Sequence, residues 1–395
     1  MKKSTCLPYR IVACLLIVFI VSHAAVSAQH KLRIQLASVP AMGVKDSIYV
    51  AGNFNGWNPG DKNFLLKKNK DVWEISIPNL PADAYEFKFT RGSWNKVATS
   101  KTGAALANNV VKLSADTSVV FAIDAWQDNF AASEKKHTAS KNVQVIDTAF
   151  FIPQLNRTRR ICIYLPPSYK SSKKLYPVLY MHDGQNVFDE FTAGFGEWGI
   201  DETLDSLSAT GKPECIVVGI DNGPQRLNEY NPYDNERYGK GEGAAYTAFL
   251  VKTLKPFIDK KYRTQKDKAG TMIAGSSLGA LISYYAMLAY PEVFGKAGIF
   301  SPSFWIAPSI TAYTDSASGK VNGKLFFYIG GLEGAEHVEE MYKIMQHMGT
   351  HSSALMYSVT DPDGRHNEAA WRKWFPEFYK FMMADWTNYP IPLNN

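Results

Sequence analysis

The stretch Thr271-Met-Ile-Ala-Gly-Ser-Ser-Leu-Gly-Ala280 is the most informative part of the sequence. Its apolar start leads into the motif Gly275-Ser-Ser-Leu-Gly279, and a helical pattern follows until Pro291. A strand, a tight turn and a helix in this order are the context in which a G-x-S-x-G motif forms a sharp elbow. Such an elbow lifts Ser277 above the strand end, with the N-terminus of a helix behind it. We therefore predict that Ser277 is a nucleophile and that Ser276 is structural.

Strand-like and helical patterns alternate on both sides of this stretch. Apolar runs of strand length occur at Pro177 to Met181, Cys215 to Ile220, Thr271 to Ala274 and Leu325 to Ile329. Spacings of three and four residues place one group of apolar side chains on the core side of a helix: Tyr246, Phe249, Leu250, Leu254 and Phe257. A second helical pattern runs from Leu278 to Tyr290. The alternation predicts a mostly parallel sheet with helices on both faces.

A serine hydroxyl needs a base to take its proton, and after an elbow of this kind the base comes later in the chain. His366 lies in a glycine-containing loop that follows the apolar run Leu355 to Val359, and a C-terminal aromatic helix begins at about Ala369. The remaining histidines beyond Ser277 fall on or beside the helical pattern Ala335 to Met348: His337, His347 and His351. We predict that His366 is the base and that the others are surface residues.

A carboxylate that orients the histidine should lie between the serine and the histidine in the chain. Glu333 is the first acid after the apolar run Leu325 to Ile329, within a glycine-rich loop, and is the predicted orienting acid. Other acids in this part of the chain remain alternatives: Glu336, Asp361 and Asp363.

Acyl transfer also needs two N–H groups aimed at the oxyanion of the intermediate. The amide of Leu278, directly after the nucleophile, is the first predicted donor. The second should come from the loop His182-Asp-Gly-Gln-Asn186, where we predict the amide of Gln185, with Gly184 as the alternative.

Residues 29–128 have a different pattern, in which short alternating runs are separated by turn residues. Trp73, Ile75 and Ile77 share one face of a run, and Glu86 and Lys88 alternate with aromatic residues in another. This pattern predicts an antiparallel β-sandwich of about 100 residues. A polar linker is predicted at 129–143, before the α/β domain at 144–395.

The composition and net charge of the chain exclude some classes of protein and partner. The chain has 395 residues, of which 46% are hydrophobic and 20% charged, so it can bury two cores and is not a disordered chain. The formal net charge is +6. Residues 1–28 contain three basic residues and no acid, which leaves +3 on the remainder. A mildly basic remainder without a Lys/Arg run argues against nucleic acid as a partner.

The first 28 residues have the pattern of a secretory signal peptide. A basic start precedes the apolar run Ile11 to Val21, which is short for a membrane span, and the small residues Val26-Ser-Ala28 suit cleavage. We predict an exported protein, periplasmic or extracellular, with no membrane span after cleavage; an uncleaved anchor is the alternative. Cys162 and Cys215 would then remain, as two buried free thiols or as one disulfide.

Several segments of the second domain together resemble a known family. They are Val178-Leu-Tyr-Met-His-Asp-Gly-Gln-Asn-Val-Phe-Asp189, Trp198-Gly-Ile-Asp-Glu202, Gly219-Ile-Asp221, Gly275 to Gly279, Phe300-Ser-Pro-Ser-Phe-Trp305 and His366-Asn-Glu-Ala-Ala-Trp371. With them, residues 144–390 resemble the esterase D-type branch of the α/β-hydrolases, which includes feruloyl, acetyl-xylan and enterochelin esterases. The resemblance implies an α/β-hydrolase fold and a serine esterase without metal or organic cofactor, with Ser277 as nucleophile and His366 as base.

The front domain resembles the β-sandwich glycogen-binding module of AMP-activated kinase β subunits and starch-branching enzymes. The matching segments are Gly52-Asn-Phe-Asn-Gly-Trp-Asn-Pro59, Tyr85-Glu-Phe-Lys-Phe89, Gly92-Ser-Trp94 and Asn108-Asn-Val-Val111. The resemblance implies an immunoglobulin-like sandwich in which Trp57 and Trp94 stack on sugars and Lys88 and Asn109 make polar sugar contacts. Binding of glucan or xylan and a purely structural role both stay open for this domain.

These expectations combine into a secreted serine carboxylesterase that removes feruloyl or acetyl groups from a plant polysaccharide or oligosaccharide. Two alternatives stay open. One is an esterase for a siderophore or another small acyl ester, for which the basic residues near the site loops are Arg226, Arg237 and Arg365. The other is a glycan-binding protein whose hydrolase domain is inert.

Overall fold

The computed structural model describes residues 29–384 except 42–45, 71, 107, 131–134 and 237. The predicted signal peptide lies outside these residues. The chain divides into two compact units, 1–132 and 133–395. In the described ranges, no helix is both long enough and apolar enough to cross a membrane.

The described part of the first unit is built from short strands. They are β1 (Gln29–Ser38), β2 (Tyr49–Gly52), β3 (Lys67–Asn69), β4 (Val72–Pro81), β5 (Asp83–Thr90), β6 (Ala98–Thr99), β7 (Asn109–Leu113), β8 (Thr117–Ala122) and β9 (Ala125–Trp126). They form a four-stranded sheet in the order β3-β4-β1-β8, a three-stranded sheet in the order β2-β5-β7, and the pair β6-β9. All pairings are antiparallel except β1 with β8.

The two larger sheets of this unit share one hydrophobic core. Successive side chains of a strand point to opposite faces, so Tyr85, Phe87 and Phe89 of β5 are buried together. They join Ile34 of β1 and Ile77 of β4 in one cluster. The predicted alternation of β4 and β5 is confirmed, whereas the immunoglobulin-like assignment of the unit stays a prediction.

The second unit alternates strands with helices. Its strands are β10 (Val143–Ile152), β11 (Arg157–Tyr164), β12 (Val178–His182), β13 (Ile216–Ile220), β14 (Thr271–Ser276), β15 (Lys296–Phe300), β16 (Lys324–Gly330) and β17 (Leu355–Asp361). Its helices are α1 (Ile200–Ala209), α2 (Arg226–Glu229), α3 (Gly243–Phe249), α4 (Lys255–Lys261), α5 (Leu278–Ala289), α6 (Ile310–Ala317), α7 (Ala335–His351) and α8 (Glu368–Met383). A π-helical turn, Leu250–Leu254, joins α3 to α4.

The eight strands form one sheet in the order β10-β11-β13-β12-β14-β15-β16-β17. The pairings from β13 to β17 are parallel, while β11 pairs antiparallel with both β10 and β13. The predicted mostly parallel sheet is confirmed. Because the six parallel strands run in one direction, their carboxyl ends meet at one edge, where open α/β sheets bind ligands.

Both faces of this sheet are covered. Val178 and Tyr180 of β12 belong to a cluster that packs under α3 to α7, and Leu179 and Met181 belong to a second cluster under α1 and α8. Successive side chains of β12 thus enter different cores, so a strand that is buried on both faces needs apolar residues at successive positions. Cys162 and Cys215 are buried free thiols, and burial raises their pKa to about 11 and about 12.

Candidate active site

The predicted site residues of the second unit follow the carboxyl ends of neighbouring parallel strands. Gln185 comes after β12, Ser277 after β14, Glu333 after β16 and His366 after β17. The order of the strands therefore brings these loops to the same edge of the sheet.

Ser277 occupies a sharp turn between β14 and α5. Its φ of 59° and ψ of −122° are unusual for a residue other than glycine, as expected for a strained nucleophile elbow. A Cβ atom on Gly275 would lie 2.8 Å from the backbone carbon of Gly279, so this turn needs glycine at 275. The Ser277 amide donates to the carbonyl of Phe300, 2.9 Å away, which fixes the elbow to the end of β15.

The hydroxyl of Ser277 contacts a residue that the sequence analysis did not single out. Ser277 Oγ and Ser303 Oγ are 3.1 Å apart, and within the described ranges no hydrogen bond joins Ser277 to His366. Ser303 lies just after β15, in the segment Phe300–Trp305 that carried part of the family resemblance. Catalytic hydrogen bonds frequently tighten only when substrate binds. Either hydroxyl can be the donor in the contact between Ser277 and Ser303.

His366 is held by the predicted acid. His366 Nδ1 lies 2.8 Å from Glu333 Oε2, and the Glu333 side chain is only 5% exposed whereas that of His366 is 39% exposed. Glu333 Oε1 accepts hydrogen bonds of 2.7 Å from the amide of Gly330 and from Ser301 Oγ. With the proton on Nδ1, this arrangement leaves Nε2 of the imidazole to accept a proton.

Trp371 completes the support of this pair. Its indole Nε1 donates to Ser301 Oγ at 2.8 Å, and its ring meets the His366 ring edge-on with a centroid distance of 5.2 Å. Ser301 thus links Trp371 to Glu333. Sequence analysis gave no role to Ser301 or Trp371, although both lie in segments of the family resemblance.

One of the alternative acids, Asp361, has partners other than His366. Asp361 Oδ2 instead accepts hydrogen bonds from Lys373 Nζ and Trp374 Nε1, at 2.7 and 2.8 Å. The bond from Lys373 is the main reason that the pKa of Asp361 lies below its usual value. Of the other histidines, His347 pairs with Asp315 and His351 is exposed at the end of α7.

The predicted oxyanion donors lie on adjacent loops. Leu278 is the first residue of α5, so its N–H has no acceptor within the helix. Gln185 lies in a short 3₁₀ helix, Gly184–Asn186, called here the oxyanion turn. A Cβ on Gly279 would lie 3.2 Å from His182 Cβ, which shows that the elbow packs against the start of this turn.

Gln185 is fixed on two sides. Its side-chain Oε1 accepts from the amide of Asn222 at 3.1 Å, and its carbonyl accepts from Thr192 Oγ1 at 2.7 Å. These two contacts fix the orientation of the Gln185 backbone. Gly184 remains the alternative donor.

A buried ion pair supports the start of the oxyanion turn. Asp183 accepts two hydrogen bonds from Arg226, of 2.7 and 2.8 Å, and one of 2.6 Å from Asn222. Burial opposes ionisation of Asp183, but Arg226 holds the pKa of this carboxyl below its usual range. Arg226 is therefore engaged within the protein. Of the other two basic candidates, Arg365 is exposed and Arg237 lies outside the described residues.

The four predicted sugar contacts lie in the first unit. The rings of Trp57 and Trp94 are 6.4 Å apart between centroids and inclined by 37°. Lys88 Nζ donates to the carbonyl of Leu106 at 2.8 Å, and Asn109 Nδ2 donates to the carbonyl of Phe87 at 3.2 Å. The structure thus brings the two indoles together, whereas Lys88 and Asn109 each contact the backbone.

The described residues contain no group of three or more His, Cys, Asp or Glu side chains that could hold a metal ion. The expectation that the reaction uses no cofactor stays a prediction.

Comparison with known proteins gives a consistent family. The family described as putative esterase matches residues 152–382, more than half of the chain. An uncharacterised protein of Bacillus subtilis, YbbA, is 30% identical over 198 residues, which cover 48% of this chain and 73% of YbbA. An endo-1,4-β-xylanase/feruloyl esterase of Xylanibacter ruminicola is 25% identical over 236 residues, which cover 59% of this chain and 30% of that protein.

A solved structure supports the fold. The BES protein from Bacillus cereus superposes with a TM-score of 0.53 at 18% identity, over 65% of this chain and 100% of that one. At this identity the similarity concerns the fold alone, which is α/β-hydrolase-like.

Proposed function

The chain belongs to the putative esterase family, and on that premise we propose that it is an exported serine carboxylesterase that removes feruloyl or acetyl groups from a plant polysaccharide or oligosaccharide. The observation that carries the proposal is the contact between His366 and buried Glu333 beside the strained elbow of Ser277. An oriented imidazole near a serine on such a turn is the arrangement that acyl transfer uses.

The proposed reaction has two steps. Ser277 Oγ attacks the ester carbonyl while His366 Nε2 takes its proton, and Glu333 stabilises the imidazolium. The amides of Leu278 and Gln185 stabilise the oxyanion. His366 then protonates the departing sugar alcohol, which leaves an acyl-enzyme. In the second step, water attacks the acyl carbonyl while His366 takes its proton, and the bond to Ser277 Oγ then breaks as His366 returns that proton to Ser277 Oγ, which releases the acid.

Apolar side chains beside the site support an acyl group with an apolar surface. Leu332 precedes Glu333, is 53% exposed, and its amide donates to the carbonyl of Gly364 in the loop of His366. Phe195 is 70% exposed and precedes Gly196, whose added Cβ would lie 3.9 Å from Glu368 Cβ, two residues after His366. The Xylanibacter relative, named in part as a feruloyl esterase, supports the same class of substrate.

For the first unit we propose binding of a glucan or xylan chain through Trp57 and Trp94. Indole rings stack on the apolar faces of sugars, and two neighbouring rings provide such a surface. The spacing of 6.4 Å between the rings supports this role. The unit would hold the enzyme on its esterified substrate.

The test is hydrolysis of methyl ferulate, p-nitrophenyl acetate and a feruloylated or acetylated xylo-oligosaccharide by wild type and Ser277→Ala. Loss of the nucleophile should remove nearly all turnover, about 10⁶-fold in an enzyme whose serine and base act as a unit. Ser276→Ala is the matched control, because Ser276 is buried beside the nucleophile and should leave the elbow intact.

Each result discriminates between the alternatives. Serine-dependent release from the oligosaccharide supports the whole proposal. Serine-dependent activity on the simple esters alone points to another acyl ester, such as a siderophore. Equal activity of wild type and Ser277→Ala refutes the mechanism, and an inactive wild type leaves the glycan-binding role of the first unit as the leading function.

A further inference from the structure

A buried carboxyl lies close to the base without belonging to the predicted triad. Glu368 is the first residue of α8, two positions after His366, and is only 6% exposed. Its Oε1 accepts a hydrogen bond of 3.2 Å from Asn186 Nδ2. Burying a carboxyl is costly unless it is hydrogen-bonded or paired, so its place next to the site calls for a role.

Asn186 connects Glu368 to the oxyanion turn. It is the last residue of that turn, and its amide donates to the carbonyl of Asp183 at 2.8 Å. Its side-chain Oδ1 accepts from the amide of Gly194 at 3.0 Å, and its carbonyl accepts from the amide of Trp198 at 2.8 Å. All these contacts fix the turn from one side. Glu368 fixes it from the helix that follows the base.

We propose that Glu368 is a positioning residue that holds the oxyanion turn in register with His366 through the side chain of Asn186. The inference rests on the proposed function and deepens it. Asn186 directly follows Gln185, so a change in the Asn186 side chain moves the amide that faces the oxyanion. Misplacement of a catalytic group by about 1 Å can lower the rate about 10²-fold.

Burial and nearby charged residues both affect the pKa of Glu368. Burial and, to a smaller extent, the charge of Asp183 raise the pKa of Glu368 to about 7, against the opposing effects of its backbone hydrogen bond, His366 and Arg226. A carboxyl in either state can accept the bond from Asn186, and so can a glutamine amide. The proposed role therefore depends on the acceptor oxygen, and Glu368→Gln should preserve it.

The experiment compares Glu368→Ala, Glu368→Gln, Asn186→Ala and the double variant Glu368→Ala/Asn186→Ala on p-nitrophenyl acetate. We expect Glu368→Ala to lower kcat at least about 10-fold with KM within about twofold, because the turn acts on the transition state. Glu368→Gln should restore kcat to within about threefold of wild type. In the Asn186→Ala background, Glu368→Ala should have almost no further effect, since both changes break one connection.

A control separates this role from the general loss of a hydrogen-bonded carboxylate. Glu214 accepts hydrogen bonds from Ser208 and Ser168 just before β13, at the opposite edge of the sheet. Glu214→Ala should change thermal stability but not kcat. The inference is wrong if Glu368→Ala retains full kcat, or if its effect adds fully to that of Asn186→Ala. A wild-type enzyme that cleaves no ester would instead refute the proposed function.

Discussion

The contacts of Glu333 determine which nitrogen of His366 is available to accept a proton. Its two oxygens have separate tasks, because Oε2 contacts His366 Nδ1 while Oε1 accepts from Gly330 and Ser301. The carboxylate is thereby held in one rotamer, and it fixes the tautomer that leaves Nε2 available.

Glu333→Gln tests this assignment at the residue scale. A glutamine must turn its NH₂ group either toward His366 or toward the donors of Gly330 and Ser301, so the tautomer or the local structure is lost. We expect kcat to fall about 10²- to 10⁴-fold, with KM within a few-fold of wild type. Steady-state kinetics on p-nitrophenyl acetate measures both.

Glu336→Gln is the control for this change, because Glu336 lies three residues further along and was the nearest alternative acid. It should keep wild-type kcat. A large loss in Glu336→Gln together with an active Glu333→Gln would reverse the assignment.

The serine, base and acid candidates could be predicted from the sequence because each follows a recognisable apolar strand in a glycine-containing loop. Ser301, Ser303 and Trp371 could not, because their contacts arise only when the ends of β15 and β16 and the start of α8 come together. Nothing local in the sequence distinguishes Ser303 from an ordinary loop serine.

At the level of elements, the loops after β12 and β14 depend on small residues at the points of close packing. A Cβ on Gly184 would lie 2.6 Å from the backbone of Gly219 and Ile220, so the oxyanion turn packs directly on β13. The sequence predicted β12, β13, β14 and β16 and helices α5 and α7, but it did not predict β10, β15, α6 or the π-helical turn between α3 and α4. Beyond that turn, Ile258 is fully buried, whereas Phe257, which was predicted on the core side, packs against the core and is only partly buried.

Gly184→Ala tests the packing of this turn. The added methyl group must displace backbone, which we expect to cost about 1–3 kcal/mol of stability. Thermal denaturation should show a lower Tm, and kcat should fall because the Gln185 amide moves. Gly194→Ala is the control, since a Cβ there meets nothing within 4 Å. A Gly184→Ala enzyme with unchanged Tm and kcat would contradict the proposed geometry of the turn.

On the scale of the whole molecule, the two units have separate cores and separate predicted tasks. The sequence indicated both, because period-two alternation in the first part gives way to alternating strands and helices in the second. It could not show how Lys88 and Asn109 would be engaged, because their contacts with Leu106 and Phe87 depend on the pairing of β5 with β7.

The division of tasks predicts that binding and hydrolysis can be separated. Trp57→Ala/Trp94→Ala should weaken retention on soluble glucan or xylan in affinity electrophoresis by about 10-fold or more, since stacking on each ring contributes on the order of 1 kcal/mol. Its kcat/KM on p-nitrophenyl acetate should equal that of wild type. Trp73→Ala, elsewhere in the same unit, is the control. Unchanged retention of the double variant would exclude this sugar-binding role.

The central claim is that Ser277 is a nucleophile activated by His366. Labelling with a fluorophosphonate probe, followed by peptide mass spectrometry, tests it most directly, because the probe reacts with activated serines whatever the natural substrate. We predict one adduct, on Ser277, which forms at least about 10²-fold more slowly in His366→Ala. An adduct on another residue, or no adduct on Ser277 in the folded wild-type protein, would contradict the account.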